Sequence, residues 1–193
     1  MSQPLDIARQ TLLDLPGLQE HDLARVMDRL LAADVDAADV YFQHSRLESW
    51  VLEDGLIKEG NHTIEQGAGL RAVSGEKTGF AYTDDLRLED LLEAAGAARA
   101  IARGGRQGRL QVRAAAPAKP LYPAINPLDS LDADAKIGLL KRLDAEARAQ
   151  DPRVQQVVCS IVAAHDVVLV AASDGSLAGD VRPLVRVNVQ VIA

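Results

Sequence analysis

Asp54-Gly55 constrains this chain more than any other pair of residues. A two-residue hairpin loop needs positive backbone angles at both central positions, and Asp-Gly is one of the few dipeptides that supply them at low cost. Residues 49–52 and 56–58 flank the pair as strand runs, so Leu52 falls opposite Ile57. Side chains alternate along a strand, which places Trp50, Leu52 and Ile57 on one apolar face and Glu53 and Lys58 on the other. The whole stretch 40–82 reads as a meander of short antiparallel strands around this turn.

A third run, 63–73, puts Ile64, Ala68, Leu70 and Ala72 on one face and Gly67 and Gly69 on the other, beside Glu65 and Arg71. Ser74-Gly75 turns the chain into 78–82, where Phe80 and Tyr82 oppose Gly79 and Ala81. A strand that gives several positions to glycine loses packing and entropy, so these positions predict close approach, by a neighbouring helix or strand or else by a ligand or partner chain. Two phosphate-binding patterns nearly occur here, and both fail on context. Gly67-Ala68-Gly69-Leu70-Arg71-Ala72 has the letters of the dinucleotide fingerprint, but its glycines lie inside a strand rather than between strand and helix. Between Gly69 and Thr78 the glycine spacing is wrong for a phosphate-binding loop. Glu76 separates Gly75 from Lys77, and a strand follows where a helix N-terminus should receive the anion.

The rest of the sequence supplies helices and further strands. Residues 5–15 predict a short helix that Pro16-Gly17 interrupts. A second begins near Gln19, with Leu23, Val26, Met27, Leu30 and Leu31 as its buried stripe and His21 solvated. Leu88, Leu91, Leu92, Ala95, Ala98 and Ala102 form another stripe, stopped by Gly104-Gly105. Pro117, Pro120, Pro123 and Pro127 forbid regular structure in the segment that follows, and Arg103, Arg106, Arg109 and Arg113 give it local positive charge. Ser130 is the expected cap of a helix reaching Gln150, with Ala133, Ile137, Leu140, Leu143 and Ala147 buried. Strand runs are expected at 154–162, 167–171 and 184–192, with Asp174-Gly175 as a turn. In the last run Val185, Val187, Val189 and Val191 alternate with polar residues, the pattern of a half-buried antiparallel strand. No turn signal precedes Ala193, which suggests a piece of a longer protein whose open last strand lets the chain self-associate.

These elements predict an α+β fold, a largely antiparallel sheet with helices packed on it. Residues 1–103 are the expected N-terminal lobe, 104–129 a linker rich in Pro and Gly, and 130–193 the helix and strands of a second lobe. The 193 residues suffice for one domain or two small lobes. Apolar residues are 48% and aromatic ones only 3%, so the core must be built from Leu, Val, Ile and Ala. A formal charge of −7 opposes nucleic-acid and anionic-membrane binding. The single cysteine fits a reducing compartment, and no leader or membrane span is evident. A cytoplasmic location is the expectation.

No recognisable active site emerges from the residues themselves. His21, His44, His62 and His165 are too scattered for a helical metal pair, Cys159 sits in an alternating strand as a buried thiol, and no Gly-x-Ser-x-Gly elbow occurs. Several motifs in fixed order, however, carry a family resemblance over nearly the whole chain. Trp50-Val51-Leu52-Glu53-Asp54-Gly55, residues 67–73, Gly75-Glu76-Lys77-Thr78-Gly79-Phe80-Ala81-Tyr82, Ala172-Ser173-Asp174-Gly175 and Asp180-Val181-Arg182-Pro183-Leu184-Val185-Arg186 together resemble the N-terminal part of TldD-type members of the TldD/PmbA family. That family was once described as modulators of DNA gyrase. The resemblance implies a bacterial cytosolic zinc metallopeptidase acting on small or unfolded peptides in complex with a PmbA (TldE) relative. The family's metal site is a His-Glu-x-x-x-His helix plus a later cysteine, all in its C-terminal part. The resemblance therefore carries no catalytic, metal-binding or cofactor-binding residue onto this chain, Cys159 does not match the ligand cysteine, and substrate-binding residues stay unassigned. The expectation is a parent enzyme whose N-terminal portion is inactive alone. A protein-binding scaffold that regulates another protein is the alternative.

Overall fold

In the computed structural model, which describes residues 4–31, 35–102 and 122–193, Asp54 and Gly55 form the hairpin turn with φ of 49° and 76°. Both values lie in the left-handed region, as a tight turn matched to strand twist requires. The strands it joins are longer than the sequence suggests. β1 is Ala37–Glu53 and β2 is Leu56–Ser74, 17 and 19 residues. The separate runs expected at 56–58 and 63–73 are thus one strand, because Gly60, Asn61 and His62 weaken strand propensity without removing a backbone donor as proline would. Gly75, with φ of 58°, turns the chain into β3, Lys77–Thr83. β4, Gln156–Ala172, likewise fuses two expected runs, and Gly175 (φ 84°) leads into β5, Leu177–Ile192.

Among the described residues five strands lie in the order β3-β2-β1-β4-β5. Among the described residues four α-helices accompany them: α1, Pro4–Arg9, continued by a π turn at Gln10–Asp14; α2, Glu20–Leu31; α3, Leu88–Ala102; and α4, Ala133–Gln150. The α+β class is therefore the observed one. Two compact units divide the chain, and they alternate along it. The first is Met1–His44, Glu65–Pro123 and Val167–Val181; the second is Ser45–Ile64, Ala124–Asp166 and Arg182–Ala193. β1, β2 and β4 contribute to both, as does β5. Most of the expected linker, with its arginines and the Gly104-Gly105 stop, lies outside the described residues.

In the first unit the stripe of α2 is buried as its spacing predicts. Leu23, Val26 and Leu30 join Val40, Phe42, Leu70 and Ala72 of the sheet in one core, with Met27 and Leu31 packed against it. α3 adds Leu91, Ala95, Ala98 and Ala102. Its small side chains let the helix backbone come down on β3, and a Cβ on Gly79 would lie 1.8 Å from the Ala98 carbonyl oxygen. α1 approaches β5 in the same way, since a Cβ on Gly179 would lie 2.6 Å from Leu5 Cα.

In the second unit Leu140 of α4 packs with Leu52, Val157, Cys159 and Ile161, and Trp50 and Ile57 flank them. Trp50, Leu52 and Ile57 do share the expected apolar cluster. The start of α4 departs from expectation: Asp132, not Ser130, is the cap, accepting from the Ala135 N–H at 2.8 Å. Ser130 instead donates to Pro127 O at 2.6 Å and closes a short 3-10 turn, Pro127–Asp129, whose Pro127 and Leu128 are buried. The end of the expected linker is thus docked structure. Ala133 is exposed, and the buried face of α4 runs through Lys136, Leu140 and Asp144. The final strand also corrects the sequence: Val185, Val187, Val189 and Val191 are 41–55% exposed rather than half-buried beneath a partner layer.

Candidate functional site

The glycine-rich strands make two different surfaces. In the β2–β3 register Gly69 faces Tyr82, Arg71 faces Phe80, Leu70 faces Ala81 and Ala72 faces Gly79. Directly paired residues share a face, so Gly79 belongs to the core face under α3, while Gly67 and Gly69 belong to the opposite one with Phe80 and Tyr82. Gly67 and Gly69 therefore line one face of the sheet and Gly79 the other. Neighbouring protein nonetheless fills the space at each: a Cβ on Gly67 would lie 2.8 Å from Thr83 O, and one on Gly69 about the same distance, 3.0 Å, from the Phe80 ring. An aromatic ring laid over a cross-strand glycine replaces the side chain that glycine lacks.

This outer face is apolar and exposed. Phe80 is 57% and Tyr82 79% accessible. Its arginine is already engaged, because Arg71 donates to Asp39 Oδ2 from Nε at 2.7 Å and from Nη2 at 2.6 Å. Both bonds go to one carboxylate oxygen, so Arg71 is charge-paired with Asp39. The arrangement suits contact with protein rather than with a nucleotide.

Open clefts among the described residues of the first unit include two lined by its helices and strands. One, of about 520 Å³, has Asp6, Asp14 and Glu20 on its walls, and its Arg9 is paired with Glu20. The other, of about 350 Å³, is bordered by Thr11, His44, Gln66 and Arg87. Arg87 is held by Asp85, Glu89 and Asp90 at 3.3, 3.2 and 2.8 Å.

His21 is exposed and lies 3.3 Å from Asp22, His62 is exposed on β2, and His165 is half-buried on β4. Cys159 is fully buried, and desolvation, aided by the Asp144 charge, pushes its thiol upward. It stays protonated and unreactive at neutral pH. Among the described residues no three His, Cys, Asp or Glu side chains converge as metal ligands. A hydrolytic zinc site needs about three, so the residues present do not fit that ion.

Sequence reasoning missed the polar centre of the second unit. Lys136 is 6% exposed, and its Nζ donates to both oxygens of Glu48 at 2.9 Å and to Leu128 O at 2.8 Å. Trp50 Nε1 donates to the same carboxylate. Burial pushes Glu48 up, but the bonds from Trp50 and Lys136 and the nearby positive charge outweigh it and hold the carboxyl below its usual range. At the hairpin turn Asp54 accepts from the Val157 N–H at 3.1 Å and pairs with Arg148, which keeps it low as well. Every one of these contacts is internal, so the cluster fastens α4 to β1 rather than presenting chemistry to a ligand.

Two family models match the chain in consecutive order. The PmbA/TldA metallopeptidase domain 1 covers residues 38–102, and the PmbA/TldA metallopeptidase central domain covers residues 126–193. The metalloprotease TldD homolog of Haemophilus influenzae is 45% identical over 190 residues, and that of Buchnera aphidicola from Acyrthosiphon pisum is 33% identical over 187. Each alignment takes in 97% of this chain and 39% of the relative, so the chain spans about two fifths of their length. Among solved structures, a Bacteroides thetaiotaomicron protein described as a modulator of DNA gyrase superposes with a TM-score of 0.73 at 21% identity, covering 89% of this chain and 40% of that one. TldE from Thermococcus kodakarensis gives 0.60 at 16% identity, covering 88% and 38%. At these identities the structural likeness speaks for the fold.

Proposed function

Because the chain belongs to the PmbA/TldD family, we propose that it is the non-catalytic N-terminal portion of a TldD-like zinc metallopeptidase that cleaves small or unfolded peptides with a PmbA/TldE-type partner. The observation that carries this reading is the match of a first and a central metallopeptidase domain, in that order, on one chain. In this reading the zinc ligands lie elsewhere in the parent protein, since the donors described here do not converge. Zinc would supply the activated water of hydrolysis. Residues 1–193 would serve assembly and substrate access. The acidic composition and lone cysteine support a cytoplasmic setting, and no described helix is long and apolar enough to cross a membrane.

The test compares peptide hydrolysis by this chain and by the full-length protein, each with and without the PmbA-type partner and with chelator. Chelator-sensitive turnover that requires the full-length protein is the expected result. Turnover by the 193-residue chain alone would overturn the assignment. A second reading, a scaffold that regulates another protein, is favoured by the exposed Phe80 and Tyr82. It predicts no turnover in any combination.

A further inference from the structure

Ile101, near the end of α3, is a large apolar side chain left 59% exposed. Its place on the helix shows what it overhangs. Ala98 and Ala102 face β3, since a Cβ on Gly79 would meet the backbone of both. Gly96 and Arg99 face α2: the Arg29 guanidinium lies against Gly96, and Arg99 Nη1 donates to Arg29 O at 3.5 Å. With about 100° between successive residues, Ile101 falls about 60° from Ala98 on the flank away from α2. α2 shares its core with β1 and β2, so that flank lies above the outer edge of β3. Among the described residues no strand lies beyond that edge. The register with β2 runs unbroken from Lys77 to Thr83, so no bulge turns the edge away, and residues 78–82 hold neither charge nor proline. We propose that β3 receives an extended apolar peptide as an added antiparallel strand, held between Ile101 and the Phe80–Tyr82 face. This rests on the reading of the parent protein as one that acts on unfolded peptides, and it gives that ligand a place on this chain.

The backbone is set for such a strand. Asp36 N–H donates to Val73 O at 2.8 Å, so Val73 serves β1 and its neighbour Ser74 serves β3. Ser74 pairs with Lys77, so Lys77, Gly79, Ala81 and Thr83 send their N–H and C=O to β2. Thr78, Phe80 and Tyr82 send theirs outward, where an antiparallel peptide can bond both groups of each. Peptide side chains opposite Phe80 and Tyr82 share the outer face with those rings. The Phe80 ring leans back over Gly69, which leaves Tyr82, 79% exposed, with the larger free surface. The peptide residue opposite Ala81 points the other way, beneath Ile101. Three consecutive apolar residues therefore fill both sides.

Charge sets the direction. Lys77 and Asp84 are exposed at the two ends of the edge, and among the described residues neither is in an ion pair. Asp85 is already taken by Arg87. The two ends are roughly 24 Å apart at about 3.4 Å per residue, the span of a peptide of about seven residues. Running antiparallel to β3, such a peptide brings its ammonium group to Asp84 and its carboxylate to Lys77. A parallel one would reverse both contacts. Glu76, exposed beside Lys77, weakens the carboxylate end, so the amino end is the stronger anchor.

The probe is the free heptapeptide Thr-Val-Thr-Val-Ile-Val-Thr, titrated calorimetrically into the full-length protein with chelator present, so that binding is read without cleavage. Ile101→Asp puts a charge where an apolar side chain must be covered, and should weaken binding about tenfold or more. Tyr82→Pro removes an outward donor but no bond to β2, and should weaken it by about as much. Should the proline variant not fold, the exposed Ile101 site decides. A peptide N-methylated at every amide keeps its side chains and should not bind, and acetylating the amino terminus should cost more than amidating the carboxyl. Failure of the full-length protein to bind the heptapeptide, binding unchanged in Ile101→Asp, or equal binding of the methylated peptide would overturn the proposal. Hydrolysis without chelator separates the two readings. Turnover with binding unchanged in the variants sinks the β3 site alone, whereas variant-sensitive binding without turnover under any condition sinks the peptidase reading alone.

Discussion

At Lys136 every donor of the ammonium group is used, two by Glu48 and one by Leu128 O, and this is what makes its burial tolerable. The partner residue lies 88 positions away, so no local pattern announces the pair. A signal was nevertheless present, since Lys136 stands four residues before Leu140 and eight before Asp144, on the face that turns out to be buried. Periodicity read from apolar letters alone passes over such a residue. Glu48→Gln leaves a buried cation without its counter-charge and should cost about 3 kcal/mol near neutral pH. The folded Glu48 carboxyl is held below its ordinary value of 4.5, so its contribution is present above that pH and is lost as pH falls through the lower folded value. The gap between wild type and Glu48→Gln should therefore narrow on acidification. Urea melts at pH 7 and near pH 3 read this directly, and a gap that does not change with pH would refute it.

Turns and helices were legible at the level of elements because their signals are local. Asp54-Gly55, Gly75 and Gly175 all adopt the positive φ their positions demand, and the stripes of α2 and α3 follow from spacing. Strand length was not legible: what sustains Leu56–Ser74 through Gly60-Asn61-His62 is the ladder to neighbouring strands, which no window of sequence contains. Nor does sequence tell which glycine is crowded by backbone and which by a movable side chain. Gly79 is crowded by the α3 main chain, which cannot yield without moving the helix. Gly79→Ala should cost about 3 kcal/mol as overpacking. Gly69 meets only the far edge of the exposed Phe80 ring, which can swing away. Gly69→Ala should therefore stay within about 1 kcal/mol of wild type. Equal shifts in denaturation midpoint for the two variants would show that the contrast between backbone and side-chain contact is wrong.

For the molecule as a whole, the two units rest on unequal cores. The first gathers buried residues of α1, α2, α3 and of the strands β1, β2 and β4 into one cluster. The second depends on Leu52, Leu140, Val157, Cys159 and Ile161. Leu140 is the one α4 hydrophobe that is fully buried among the described residues. β2 from Lys58 to Gln66 and β5 from Leu184 onward are exposed on both faces, so little apolar burial resists their opening. Leu140→Ala removes the transfer energy of a buried side chain and leaves a cavity, a loss of about 2–5 kcal/mol. Strands shared between units need not open along their full length, because local unfolding follows local burial. Hydrogen exchange of Leu140→Ala should then lose protection in α4, at 50–57 and at 156–163, while 40–42, 68–72 and 91–98 keep theirs. The result that would count against this is a uniform loss across both sets, since opening would then be global and the strand halves would unfold as one.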